Sequence, residues 1–123
     1  MLRRLLFLLT LAIGASFAVA AIATAGTSKS AGLVGEVGPG YSIEVKLNGK
    51  DLKTIKAGTY RIKVEDKSSI HDFHLMGKGL NKATTVSFVG DKTWRVTFKA
   101  GKVTYQCDPH ASQGMKGSFR VTG

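Results

Sequence analysis

Cysteine is almost missing from this chain: Cys107 is the only one in 123 residues. One cysteine excludes an internal disulfide, and in an exported protein a free thiol is open to oxidation. Either the thiol is a small, inert core residue or something holds its sulfur. Helical patterning is missing too. Beyond residue 25 no apolar stripe of useful length recurs at a period of 3.6, which argues against a helical fold. Acidic residues are few, 8 against 18 lysines and arginines, for a net charge of +10. Yet no basic run has aromatics interleaved, so the surplus does not mark a nucleic-acid binder. There is no internal repeat, and no cysteine just after the first apolar stretch, which argues against a lipid-anchored lipoprotein.

The N-terminus is a leader. Basic Met1-Leu2-Arg3-Arg4 is followed by an apolar run from Leu5 to Ala23, then by Ala21-Ile22-Ala23 and Ala23-Thr24-Ala25. Basic, apolar and A-x-A in that order make residues 1–25 a secretory signal peptide. The competing reading is an uncleaved N-terminal anchor, since the run is just long enough to span a bilayer. Export to the periplasm or the extracellular space follows either way, with membrane contact only through this segment if it is retained. Cleavage after Ala25 leaves 98 residues, enough for one modest core. The leader carries two of the basic residues and no acid, so the mature charge is 16 − 8 = +8. Residues 26–33 are small and polar and read as a flexible lead-in; residues 34–123 form the single domain.

Within that domain the pattern has period two. Tyr41, Ile43, Val45 and Leu47 alternate with polar residues up to the turn signal Asn48-Gly49. Tyr60, Ile62 and Val64 repeat the pattern. Val86 and Phe88 continue it up to Gly90-Asp91, read as a turn. Trp94, Val96 and Phe98 form the next strand, Val103, Tyr105 and Cys107 share a face of another, and Phe119 and Val121 mark the last. Short half-buried strands with Gly-rich turns make this an all-β domain, an antiparallel sandwich or small barrel.

The residues that carry chemistry are unevenly placed. Of three histidines, His110 lies within nine residues of Cys107 and Met115, and His71 and His74 lie well upstream. A thiolate, two imidazoles and a thioether form the soft donor set of a blue-copper centre, a His₂Cys plane with a long axial Met. The loop can turn at Pro109, present His110 and return through Gly114 to Met115. The fourth ligand must come from elsewhere. On a strand starting near Ile70, His71 shares its face with Phe73 and Leu75, whereas His74 shares the other with Asp72 and Met76. That favours His71 as the ligand and His74 as an outer histidine beside the site. Met76 reads as packing.

Tyr105-Gln-Cys107-Asp-Pro-His110-Ala-Ser-Gln-Gly-Met115-Lys-Gly117 closely resembles the C-terminal ligand loop of small cupredoxins, above all the plastocyanin and amicyanin group. Ile70-His71-Asp-Phe-His74-Leu75 resembles the upstream ligand motif of the same family, and the resemblance covers most of residues 34–122. It implies a cupredoxin-like antiparallel Greek-key β-sandwich of about 7–8 strands. It also implies one mononuclear copper ion and electron transfer with a redox partner protein through the edge of His110, in a protein that is not an enzyme and acts as a monomer. An extracytoplasmic copper carrier or buffer is the alternative function. Met115, Ala111 and Gly114 are expected to form an apolar docking patch, and Lys116, Lys78 and Lys82 to steer a partner with an acidic face. One departure stands out: the residue after the first His, usually Asn, is Asp72. The resemblance puts it near Asp108, so one of the two carboxyls should have a raised pKa. Pro109 has no N–H to donate to the cysteine sulfur, and such donors tune a copper potential.

Overall fold

Alternating apolar residues build two packed sheets. A computed structural model of the chain describes residues 20–21 and 29–123. Apart from Ala20 and Ala21, the expected leader lies outside the described residues. No helix among the described residues is long and apolar enough to cross a membrane. The strands are β1 (Lys29–Val37), β2 (Ile43–Leu47), β3 (Lys50–Asp51), β4 (Thr54–Lys56) and β5 (Gly58–Asp66), then β6 (His74–Gly77), β7 (Leu80–Ala83), β8 (Gly90–Phe98), β9 (Gly101–Gln106) and β10 (Lys116–Thr122). One sheet has the order β3-β2-β1-β5-β8 and the other β4-β10-β9-β6-β7. The two short strands β3 and β4 account for most of the excess over the expected number.

The β2–β3 turn is Asn48-Gly49 with φ of 51° and 81°, the paired positive values of a tight hairpin turn. The inward faces match the period-two reading: Val45, Tyr60, Ile62, Val64, Val96, Phe98, Val103, Phe119 and Val121 are all buried. Burying each such side chain contributes roughly 1.5–3 kcal/mol. Phe73 connects the two layers. It is fully buried, lies over Gly35 where any Cβ would collide with its ring, and stacks on Tyr105 at 6.2 Å and 7°.

Several local expectations differ from the structure. The sheets are mixed, because β1 pairs parallel with β5 and β4 parallel with β10. Period-two alternation carries no information on strand direction, which the crossovers set. Part of the 26–33 segment is strand, since β1 starts at Lys29 and pairs with β2 and β5. Val86 and Phe88 lie outside any strand, and Val86 is 39% exposed. Gly90-Asp91, expected as a turn, starts β8 instead, because Asp66 and Glu65 of β5 pair with these residues.

Candidate metal centre

The site grows from the end of β5. Asp66, the last residue of that strand, is buried and accepts hydrogen bonds from the Ser68 N–H at 3.3 Å and the Thr84 hydroxyl at 2.8 Å. Thr84 Oγ1 in turn accepts the Phe73 N–H at 2.8 Å. Burial pushes the Asp66 carboxyl up, and the bonds from Thr84 and Ser68 oppose it. Together these bonds pin the ends of the 67–73 segment to the core. His71 therefore sits in a loop before β6 rather than on the strand expected there, and Asp72, on the supposed outer face, is buried as well. His71 is buried as expected, but so are the two residues after it, so strand alternation does not describe this segment.

The second loop follows β9. Residues Asp108–Gln113 form a 3₁₀ turn with Pro109 at its start, stopped by Gly114 in the left-handed conformation (φ 94°), which a residue with a Cβ adopts only under strain. Backbone bonds close the loop: His110 N–H to the Cys107 carbonyl at 3.1 Å, Met115 N–H to the His110 carbonyl at 3.2 Å, and Cys107 N–H to the Met115 carbonyl at 3.0 Å. Cys107 and Met115 are buried and His110 is half-buried. Met115 is therefore not part of an exposed docking patch; the exposed apolar side chains near the histidines include Tyr41 and, next to His71, Ile70.

The two loops bring three donors together. Nδ1 of His71 and Nδ1 of His110 are 3.0 Å apart, and Cys107 Sγ is 3.6 Å from the first and 3.4 Å from the second. Metal–nitrogen bonds of about 2.0–2.1 Å and a metal–sulfur bond of about 2.3 Å, spread over about 100–120°, separate such donors by roughly 3.1–3.8 Å. The triangle therefore has the size of a coordination plane. A second sign is the far side of the His71 ring. Its Nε2 is buried without a hydrogen-bond partner, a cost of about 1–3 kcal/mol. A ring held in that pose has its useful nitrogen at Nδ1. Burial pushes the Cys107 thiol up, against the pull of the Asp72 and His110 backbone N–H groups. A metal that binds the thiolate must displace that proton.

Around the donors, the backbone N–H of Asp108 donates to Asp72 Oδ1 at 2.6 Å. Burial, above all, raises the pKa of Asp72. Asp108 moves the other way: burial opposes its ionisation, but hydrogen bonds from Gln106 and His74 outweigh it. His74 places Nδ1 2.9 Å from Asp108 Oδ1 and Nε2 2.5 Å from Asn81 Oδ1. Burial lowers its pKa, and these acceptors reverse that and raise it. So one carboxyl is raised as expected, and the imidazole that sequence reasoning placed outside the metal site lies against the other carboxyl of the pair, where its protonated form is favoured. Sequence reasoning missed Tyr41 by putting it on the face of Ile43. It lies in the β1–β2 loop with its ring against both His71 and His110. The nearby signal was Gly38-Pro39-Gly40, which punctuates the chain as a turn.

A family model described as copper binding proteins of the plastocyanin/azurin family matches residues 49–122, which include His71, Cys107, His110 and Met115. Among solved structures, reduced rusticyanin is 22% identical with a TM-score of 0.53, covering 73% of this chain and 77% of that one. Rusticyanin from Thiobacillus ferrooxidans is 23% identical, TM-score 0.52, covering 73% and 75%. A rusticyanin variant is 26% identical, TM-score 0.54, covering 73% and 75%. Rusticyanin is a copper protein. Comparison with curated proteins gives no match. The cluster of His71, Cys107 and His110 suits a single copper ion.

Proposed function

The chain belongs to the plastocyanin/azurin family of copper-binding proteins, and on that premise we propose that it is an exported mononuclear type 1 copper protein passing single electrons between redox partners. His71, Cys107, His110 and Met115 would hold the ion, the soft donor set such a centre uses. Bound copper supplies a one-electron Cu(I)/Cu(II) couple. The remaining work belongs to the chain. Buried His71 and Cys107 keep water from the donors. The backbone bonds between Cys107, His110 and Met115 hold one loop geometry, so the same arrangement serves both oxidation states. Half-buried His110 carries the conducting edge to the surface.

The observation that carries this reading is the convergence of two imidazole nitrogens and a buried thiol within 3.0–3.6 Å. A full set of four donors leaves no open position for a substrate, which is why we read the protein as a carrier of electrons and not an enzyme. The leader pattern supports export. The partner is a redox protein with an acidic docking face, met by a single copy of this chain. Lys116, directly after Met115, and Lys82, paired with Leu75 beside His74, are exposed and placed to steer it. Lys78 lies on the β6–β7 turn, at the end of β6 away from His74, and is a weaker candidate.

The test is the absorption spectrum of the copper-loaded, oxidised protein. An intense thiolate-to-copper band in the visible is expected, and a colourless Cu(II) form would overturn the reading. A reversible potential with slow copper loss supports electron transfer, whereas ready delivery to a metal-free acceptor would make the protein a copper carrier.

A further inference from the structure

Tyr41 is 63% exposed, yet its ring is packed against the metal cluster. Its centroid is 5.3 Å from that of His71 at 74° and 4.8 Å from that of His110 at 72°. The two imidazoles are 4.8 Å apart at 80°. Each pair is therefore edge-to-face, within the range where aromatic rings attract beyond their burial.

The loop that carries Tyr41 is built to hold it there. The Gly38 N–H donates to the Ser42 carbonyl at 2.9 Å and closes the loop, and the Lys67 N–H donates to the Val37 carbonyl at 2.9 Å and ties its start to the His71 segment. Gly38 has φ +72°, and a Cβ there would sit 3.2 Å from His71 Cδ2 and 3.0 Å from Ser68 Cβ. The backbone thus runs directly against the His71 ring before Tyr41 reaches the outside of the site. Because Nε2 of His71 has no hydrogen-bond partner, no bond on that side fixes the tilt of the imidazole, and packing must.

We propose that Tyr41 is a positioning residue: its ring, wedged against both imidazoles, sets their tilt so that both Nδ1 atoms face Cys107 Sγ before any metal arrives. The proposal rests on the reading of His71 and His110 as metal ligands. It assigns the aromatic ring, and not the hydroxyl, as the acting part.

The experiment compares Y41F and Y41L with the native chain. In metal-free protein, the imidazole C–H signals of His71 and His110 are followed by NMR. In copper-loaded protein, the release of copper to excess chelator is timed. Y41L is expected to broaden or double the imidazole signals and to release copper about tenfold faster, whereas Y41F stays within about twofold of native in both. Chemical unfolding of Y41L serves as the control, and because the side chain is mostly exposed, its midpoint should stay close to native. Native imidazole signals and native release in Y41L would overturn the proposal, as would a Y41F as impaired as Y41L. The metal-free NMR reading stands apart from the copper reading: a native protein with no visible band would defeat the latter while the imidazole signals still report on Tyr41.

Discussion

The backbone N–H of Asp108 donates to Asp72 Oδ1 at 2.6 Å, joining residues 36 apart in the chain. Each partner directly follows a donor of the cluster, Cys107 or His71, so this bond sets the distance between the two halves of the metal centre. An amide oxygen would accept the same bond, and a methyl group would not.

Asp72→Ala is expected to destabilise the protein by about 1–3 kcal/mol, because it leaves the Asp108 N–H without its partner. Asp72→Asn should be as stable as the native chain or more so at pH 7. Burial raises the folded-state pKa of Asp72, so ionised Asp72 opposes folding above that value. The opposition is relieved as pH falls through the raised value toward the ordinary 3.8. Urea unfolding at pH 7 and at pH 4 checks this: any advantage of Asp72→Asn should shrink at the lower pH.

His74→Gln should lose the charged contact with Asp108. The folded-state pKa of His74 is raised against the cost of burial by Asp108 and Asn81. Its contribution is therefore fully present below the ordinary value of 6.5 and is lost as pH rises through the raised value. Asp108 is 45% exposed on its side chain, so solvent screening holds the loss to about 1 kcal/mol. Unfolding midpoints of native and variant should differ at pH 6 and converge toward pH 9. Equal midpoints at pH 6 would refute the coupling.

Cys107→Ser removes the thiolate from a site that is 0% exposed. The copper-loaded variant should show no intense visible band, and unfolding should reveal a folded protein destabilised by roughly 1–2 kcal/mol for placing a hydroxyl in the core. Retention of the band would exclude Cys107 as the ligand.

Met115→Leu keeps the shape of a 2% exposed side chain, and such a swap costs less than about 1.5 kcal/mol. If the thioether is the axial donor, its loss withdraws electron density from Cu(II) more than from Cu(I), so the reduction potential rises. Voltammetry of the native and variant proteins measures the difference; an unchanged potential would reduce Met115 to a packing residue.

Much of the fold was legible because a half-buried strand writes its inward face into every second residue, as at Tyr60, Ile62 and Val64. The nearness of Cys107 and His110 was legible because they lie three residues apart in one loop, close enough in the chain for spacing alone to bring them together. Errors arose where the backbone leaves regular strand. His71 sits in a loop, Val86 in a turn and Tyr41 in a closed loop, and in such places period-two alternation does not describe which way a side chain points.

The amino-acid sequence by itself determined the all-β architecture and the nearness of Cys107 to His110, because each depends on local periodicity or short spacing; it favoured His71 over His74 by the alternation of a strand that does not form at that point. Only the tertiary structure decided the parallel pairing of β1 with β5, the clasp between Asp72 and Asp108, the partnership of His74 with Asp108, and the place of Tyr41 over both imidazoles. These join residues some 30 to 70 positions apart or depend on strand direction. Their geometry follows from how the two sheets close on one another, and no single stretch of chain encodes it.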